Sequence, residues 1–153
     1  MGRITAILEA AHQRAKERML PYRGALTASE AYELLQLAPN ATLVDVRTRA
    51  ELDWVGYVAD DIKTVEIEWV TYPTMKMNPN FIPHLKEQVD AEALVLFLCR
   101  SGIRSYAAAA AATQAGFSAC YNILDGFEGN RDGEHHRNAL GGWRAEGLPW
   151  QQN

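Results

Sequence analysis

The chain is predicted to fold as α/β, with a mostly parallel central sheet flanked by helices on both faces. Three observations carry this. Short apolar runs near 43–47, 64–68, 94–98 and 119–123 alternate with stretches of helical pattern. The run Leu94-Val95-Leu96-Phe97-Leu98 is apolar throughout, as a strand covered on both faces must be. Shortly after it come six consecutive alanines and, at the end, Gly116, the pattern of a helix with a glycine cap.

The elements follow in order. Residues 4–20 place Ile4, Ile7, Leu8, Ala11, Ala15 and Met19 at helical spacing, with Arg14, Lys16, Glu17 and Arg18 on the other face. Pro21 and Gly24 are expected to end this helix, which should pack on its own domain, with His12 solvated. Thr27-Ala28-Ser29-Glu30 is a capping-box signature that opens a helix reaching about Leu37. Leu43-Val44-Asp45-Val46-Arg47 reads as a short buried strand, and an aspartate inside it needs a partner, expected to be an arginine. Arg49 to Val55 reads as a short helix or turn. Thr64 to Trp69 alternates like a strand near a sheet edge. Residues 71–83 carry prolines and asparagines and read as a loop, followed by a helix from Phe81 to Val89. Phe117 to Leu124 is the last expected strand, with Cys120 as a buried small hydrophobe inside it.

Between the 94–98 strand and the alanine helix lies Cys99-Arg100-Ser101-Gly102-Ile103-Arg104-Ser105. A tight loop feeding a helix N-terminus points free N–H groups inward and cradles anions. A cysteine at the mouth of that cradle is a candidate thiolate, beside Arg100 and Arg104. A free cysteine ending a buried strand is ordinarily structural. Nothing structural, however, asks for two guanidinium groups within five residues of a core strand's end. Two chemistries use such a loop: phosphoryl transfer through cysteine, and sulfur transfer through a cysteine persulfide. Only four residues separate Cys99 from Arg104, one fewer than the phosphoryl-transfer loop has. The tighter ring suits a single sulfur atom on Cys99.

Composition excludes several classes. A net charge of −4 argues against nucleic acid as a partner. Two cysteines make no disulfide framework, and a reactive thiol implies a reducing compartment. No apolar run approaches the ~20 residues of a membrane span, and residues 1–22 lack the apolar stretch of a secretory signal. The expected location is the cytoplasm. His135 and His136 are adjacent in a polar stretch, where no further Cys or His completes a metal site, so a solvated loop is expected.

The Cys-Arg-Ser-Gly-x-Arg-Ser loop resembles that of a single-domain rhodanese, the thiosulfate sulfurtransferase fold. Asp45 and Arg47 match that family's first motif. Gly56-Tyr57-Val58 stands where the family usually has Gly-His-Ile, so no general acid is assigned there. Asp125-Gly126-Phe127-Glu128-Gly129 matches its glycine-rich turn. Trp143-Arg144 and Leu148-Pro149 match its closing segment, which Trp143 and Trp150 are large enough to anchor. The implied fold is rhodanese-like with an extra N-terminal helix: an extension at 1–24 and the rhodanese domain at 25–153.

The resemblance implies a sulfurtransferase with Cys99 as catalytic nucleophile. Arg100, Ser101, Gly102, Ile103, Arg104 and Ser105 would bind substrate, and Asp45 and Arg47 would support the same pocket from a neighbouring strand end. Both arginines would orient the anionic donor, and Ser101 and Ser105 would donate hydrogen bonds to the terminal sulfur. The donor would be a small anion such as thiosulfate, or a persulfide. The acceptor would be a thiol, cyanide or a protein. No metal or organic cofactor is required. The alternatives are a persulfide carrier serving one partner, a cysteine phosphatase or arsenate reductase, and a non-catalytic rhodanese-like binding module.

Overall fold

The computed structural model describes residues 2–153. At its centre is a five-stranded sheet whose neighbours all run parallel. In chain order its strands are β1 (Gly24–Leu26), β2 (Ala41–Asp45), β4 (Thr64–Glu66), β7 (Leu94–Leu98) and β8 (Ala119–Ile123). They lie side by side as β1-β8-β7-β2-β4, which puts β7 in the middle. Small two-stranded pairs are made by β3 (Tyr57–Val58) with β9 (Trp150–Gln151) and by β5 (Val70–Thr71) with β6 (Lys76–Met77).

The helices are α1 (Gly2–Glu17), α2 (Ala28–Leu37), α3 (Arg49–Trp54), α4 (Phe81–Gln88) and α5 (Ile103–Gln114). Side chains alternate along the strands and divide the core in two. Leu43, Leu96, Leu98, Tyr121 and Ile123 meet α1 and α2 on one face. Val44, Val95, Phe97 and Cys120 meet α4 and α5 on the other. Ala108, Ala109 and Ala112 are fully buried, so the alanine run lets α5 lie close against the strands. No helix of the described residues is long and apolar enough to cross a membrane.

Several expectations need correction. α1 ends at Glu17, before Pro21, because Met19 adopts a left-handed backbone while Leu20 N–H bonds back to Ala15 O. Met19 is therefore 88% exposed rather than part of the buried stripe. Gly24 opens a strand instead of merely ending a helix. His12 is half-buried, and its Nε2 lies 2.9 Å from Tyr121 Oη. β2 starts at Ala41 and ends at Asp45, so Arg47 lies beyond the strand. The stretch read as a loop after residue 71 contains the β5–β6 hairpin. Trp143 is fully buried and its Nε1 donates to Pro149 O, whereas Trp150 stays at the surface on β9.

The first capping box forms as expected. Glu30 N–H donates to Thr27 Oγ1 at 3.1 Å, and Glu30 Oε1 accepts from Thr27 N–H at 2.9 Å. Thr27→Ala should lower unfolding stability by about 1 kcal/mol, read by urea denaturation.

Candidate active site

The parallel sheet sets the site's position, since loops at the carboxyl ends of its strands gather above β2 and β7. Asp45 pairs with Leu98 in register, so the ends of these two strands lie side by side. Cys99 is the residue immediately after β7. Its loop turns through Gly102, whose φ of +100° suits glycine, and then enters α5. The loop is held from behind by the turn after β8. Phe127 N–H donates to Cys99 O at 2.8 Å, and Glu128 and Gly129 N–H both donate to Arg100 O. Trp143 N–H in turn bonds Gly126 O.

Cys99 is 1% exposed. It lies at the base of its loop rather than at the mouth, which corrects the expected open cradle. The hydrogen-bond partners of Sγ among the described residues are Gly102 N–H at 3.1 Å and Ser105 Oγ at 3.2 Å. Ser105 is itself fully buried and also bonds Asn122 Oδ1. Asn122 Nδ2 donates to Gly102 O and Tyr22 Oη, each at 3.2 Å. Gly102 O can only accept, so it fixes the amide with its oxygen toward Ser105. A buried chain thus runs from Cys99 through Ser105 and Asn122 to Tyr22. With its hydrogen on Asn122, the Ser105 hydroxyl accepts from the Cys99 thiol. With its hydrogen turned to Sγ, it supports a charged sulfur instead.

The arginines divide in role. Arg104 makes a bidentate pair with Glu51, at 2.6 and 2.8 Å. Glu51 also accepts from Thr48 N–H in a second capping box, at the start of α3. Burial alone would raise the Glu51 carboxyl, but hydrogen bonds and charge from Arg104, with help from Thr48, hold it at about 2. Arg104 is therefore engaged by an internal partner. Arg100 is exposed and has no ion pair among the described residues. Both arginines line one cleft of about 560 Å³.

Ser101 and Ile103 border a separate cleft beside Arg131, His135 and Arg137, and Ser101 makes no hydrogen bond to Sγ among the described residues. His135 and His136 are exposed, as expected of a solvated loop.

Asp45 and Arg47 pair with each other. Both carboxylate oxygens of Asp45 accept from the Arg47 guanidinium, at 2.7 to 3.2 Å. The guanidinium lies 4.1 Å over the Phe127 ring. The pair locks the end of β2 onto the turn that supports Cys99. None of Asp45, Arg47 and Cys99 lines the Arg100–Arg104 cleft. Cys120 is buried, and that burial pushes its thiol up.

Glu51, Asn122 and Tyr22 were not foreseen as parts of the site. Thr48-Arg49-Ala50-Glu51 is a visible capping-box spacing that could have drawn attention to Glu51. Asn122 is a polar residue inside a strand pattern, a weaker signal.

The rhodanese-like domain pattern matches residues 27–131, more than half of the chain. The chain belongs to the rhodanese-like domain family. Its rhodanese-like fold is similar to the crystal structure of Rv0390 from M. tuberculosis, with a TM-score of 0.79 and 46% identity over 86% of this chain and 99% of that one. It is also similar to the homodimeric polysulfide-sulfur transferase of Wolinella succinogenes, with a TM-score of 0.59 and 26% identity over 98% and 90% of the two chains. An uncharacterized Rickettsia prowazekii protein is 39% identical over 126 residues, covering 82% of this chain and 95% of the relative.

Proposed function

We propose that this rhodanese-like protein is a sulfurtransferase that carries a sulfane sulfur on Cys99 as a persulfide. One observation carries the reading: Sγ lies at the end of the central strand, within reach of the Gly102 N–H and the Ser105 hydroxyl. Family membership and the likeness to a polysulfide-sulfur transferase support it.

In the first half-reaction the Cys99 thiolate attacks the outer sulfur of thiosulfate or of a persulfide. A new S–S bond forms at Sγ, the donor's own S–S bond breaks, and the electron pair departs with sulfite or a thiolate. Gly102 N–H and the Ser105 hydroxyl stabilise negative charge on sulfur. Arg100, which makes no ion pair among the described residues, draws the anionic donor. Arg104 braces the loop through Glu51. In the second half-reaction a thiol or cyanide takes the outer sulfur and Cys99 leaves as thiolate.

The test is the intact mass after incubation with thiosulfate. The wild-type protein should gain one sulfur atom, and Cys99→Ser should gain none. A gain that survives in Cys99→Ser, or no gain in the wild type, overturns the reading. Ser105→Ala should slow sulfur transfer about tenfold, the effect of losing one hydrogen bond of about 1.5 kcal/mol to a charged atom. Stopped-flow discharge of the loaded protein checks this.

A further inference from the structure

Asn122 touches both residues that hold Sγ. It lies on β8 in register with Phe97 of β7, two positions before Cys99. Its Oδ1 accepts from the Ser105 hydroxyl, and its Nδ2 donates to Gly102 O at 3.2 Å. Gly102 N–H and Ser105 Oγ are the partners of Sγ among the described residues. Asn122 and Ser105 are both buried. The second Nδ2 hydrogen goes to Tyr22 Oη, so every polar atom of the amide is engaged. Turning the amide over would set Oδ1 against Gly102 O, two acceptors with no hydrogen between them. The oxygen is therefore held toward Ser105.

Ser105 has one hydroxyl hydrogen and two neighbours that compete for it. While Cys99 is a thiol, its S–H donates to Ser105 Oγ, and the hydroxyl hydrogen goes to Asn122. A thiolate has no hydrogen of its own and draws a donor. The hydroxyl then turns about its Cβ–Oγ bond toward Sγ. That leaves Asn122 Oδ1 buried without a donor, which is unfavourable. Gly102 N–H faces Sγ in either case and does not distinguish the two.

Resting on the sulfurtransferase reading, we infer that Asn122 is a positioning residue that acts on Cys99 through Ser105. It claims the hydroxyl hydrogen in competition with Sγ, and so restrains the nucleophile until the hydroxyl turns. On ionisation the S–H bond breaks, its electron pair stays on Sγ, and the proton passes to solvent water. The hydroxyl hydrogen stays on Oγ throughout. The charged and titratable groups on the surrounding elements are Arg100, the Arg104–Glu51 and Asp45–Arg47 pairs, Glu128 and Tyr22. All of them are kept in the variants below, so a shift among those variants belongs to the amide and the hydroxyl.

The experiment follows sulfur loading of the full chain from thiosulfate by intact mass across a pH series, and reads the pH of half-maximal rate. Asn122→Leu, close to the amide in shape but without an acceptor, should move that midpoint down by about one unit, the effect of one hydrogen bond to a charged atom. Ser105→Ala should move it up by about the same amount, because the thiolate loses a donor. Ser105→Ala/Asn122→Leu should match Ser105→Ala alone, since no hydroxyl is left to compete for. Asn122→Val, suited to a strand, is the second variant should Asn122→Leu not fold. An amide that only shapes the loop would slow loading at every pH and leave the midpoint in place. An unmoved or raised midpoint in the folded variant overturns this inference alone, as does a downward shift that persists in the Ser105→Ala background. A wild type that takes up no sulfur at any pH overturns the sulfurtransferase reading, and the inference with it.

Discussion

Gly102→Ala should fold less stably by about 2–4 kcal/mol and form persulfide at least about 100-fold more slowly. At this position φ is +100°, a conformation that costs an L residue about 1–2 kcal/mol. The larger problem is space. A Cβ there would come 2.2 Å from Leu124 O, a backbone atom that cannot swing aside. Either the loop lifts or the turn after β8 moves, and both displace the Gly102 N–H from Sγ. Gly116 is the control, because its φ of +105° is similar but nothing lies within 4 Å of a built Cβ. Gly116→Ala should cost about 1–2 kcal/mol and leave sulfur loading unchanged. Urea melts and mass gain after thiosulfate treatment read both variants. Equal loading rates in the two would show that the loop tolerates the shift.

Arg104→Ala should destabilise the protein by about 3 kcal/mol, because it leaves the Glu51 carboxylate desolvated and unpaired. The side chains of the pair are only 18% and 19% exposed. Glu51→Gln/Arg104→Gln, which removes both charges, should cost less than Arg104→Ala alone. Acid has a related effect. The Glu51 carboxyl sits at about 2 in the fold against 4.5 ordinarily, so its folded value is depressed. Its contribution is then complete above about pH 4.5 and lost as pH falls toward about 2. Denaturation midpoints measured across that window should fall with acid in the wild type. In Arg104→Ala the fall should be shallower, since the carboxyl is no longer held down by its partner.

The parts of this structure that were legible in the sequence are those that local pattern determines. An unbroken apolar run, a glycine-bearing polar loop and an alanine helix sit within one short stretch, and each points to the same strand–loop–helix unit. Thr27 and Glu30 announce a helix start in the same way. β1 was hidden, because Gly-Ala-Leu has no alternation to read and its partners Tyr121–Ile123 lie far along the chain. The Arg104–Glu51 pair joins positions 53 apart, so the loop arginine looked free when it is not. The burial of Cys99 depends on what the turn after β8 covers, which no local motif reports. The β5–β6 hairpin was masked by turn-forming residues between its two short strands.

The carbonyls of Cys99 and Arg100 are satisfied by Phe127, Glu128 and Gly129, and that turn is bonded in its own right by Trp143. During synthesis the cysteine therefore emerges from the ribosome well before the segment that props its loop. A nascent or C-terminally clipped chain would hold the thiol without its scaffold. The backbone carbonyls of the Cys99 loop therefore find these partners only once residues 126–143 have been made.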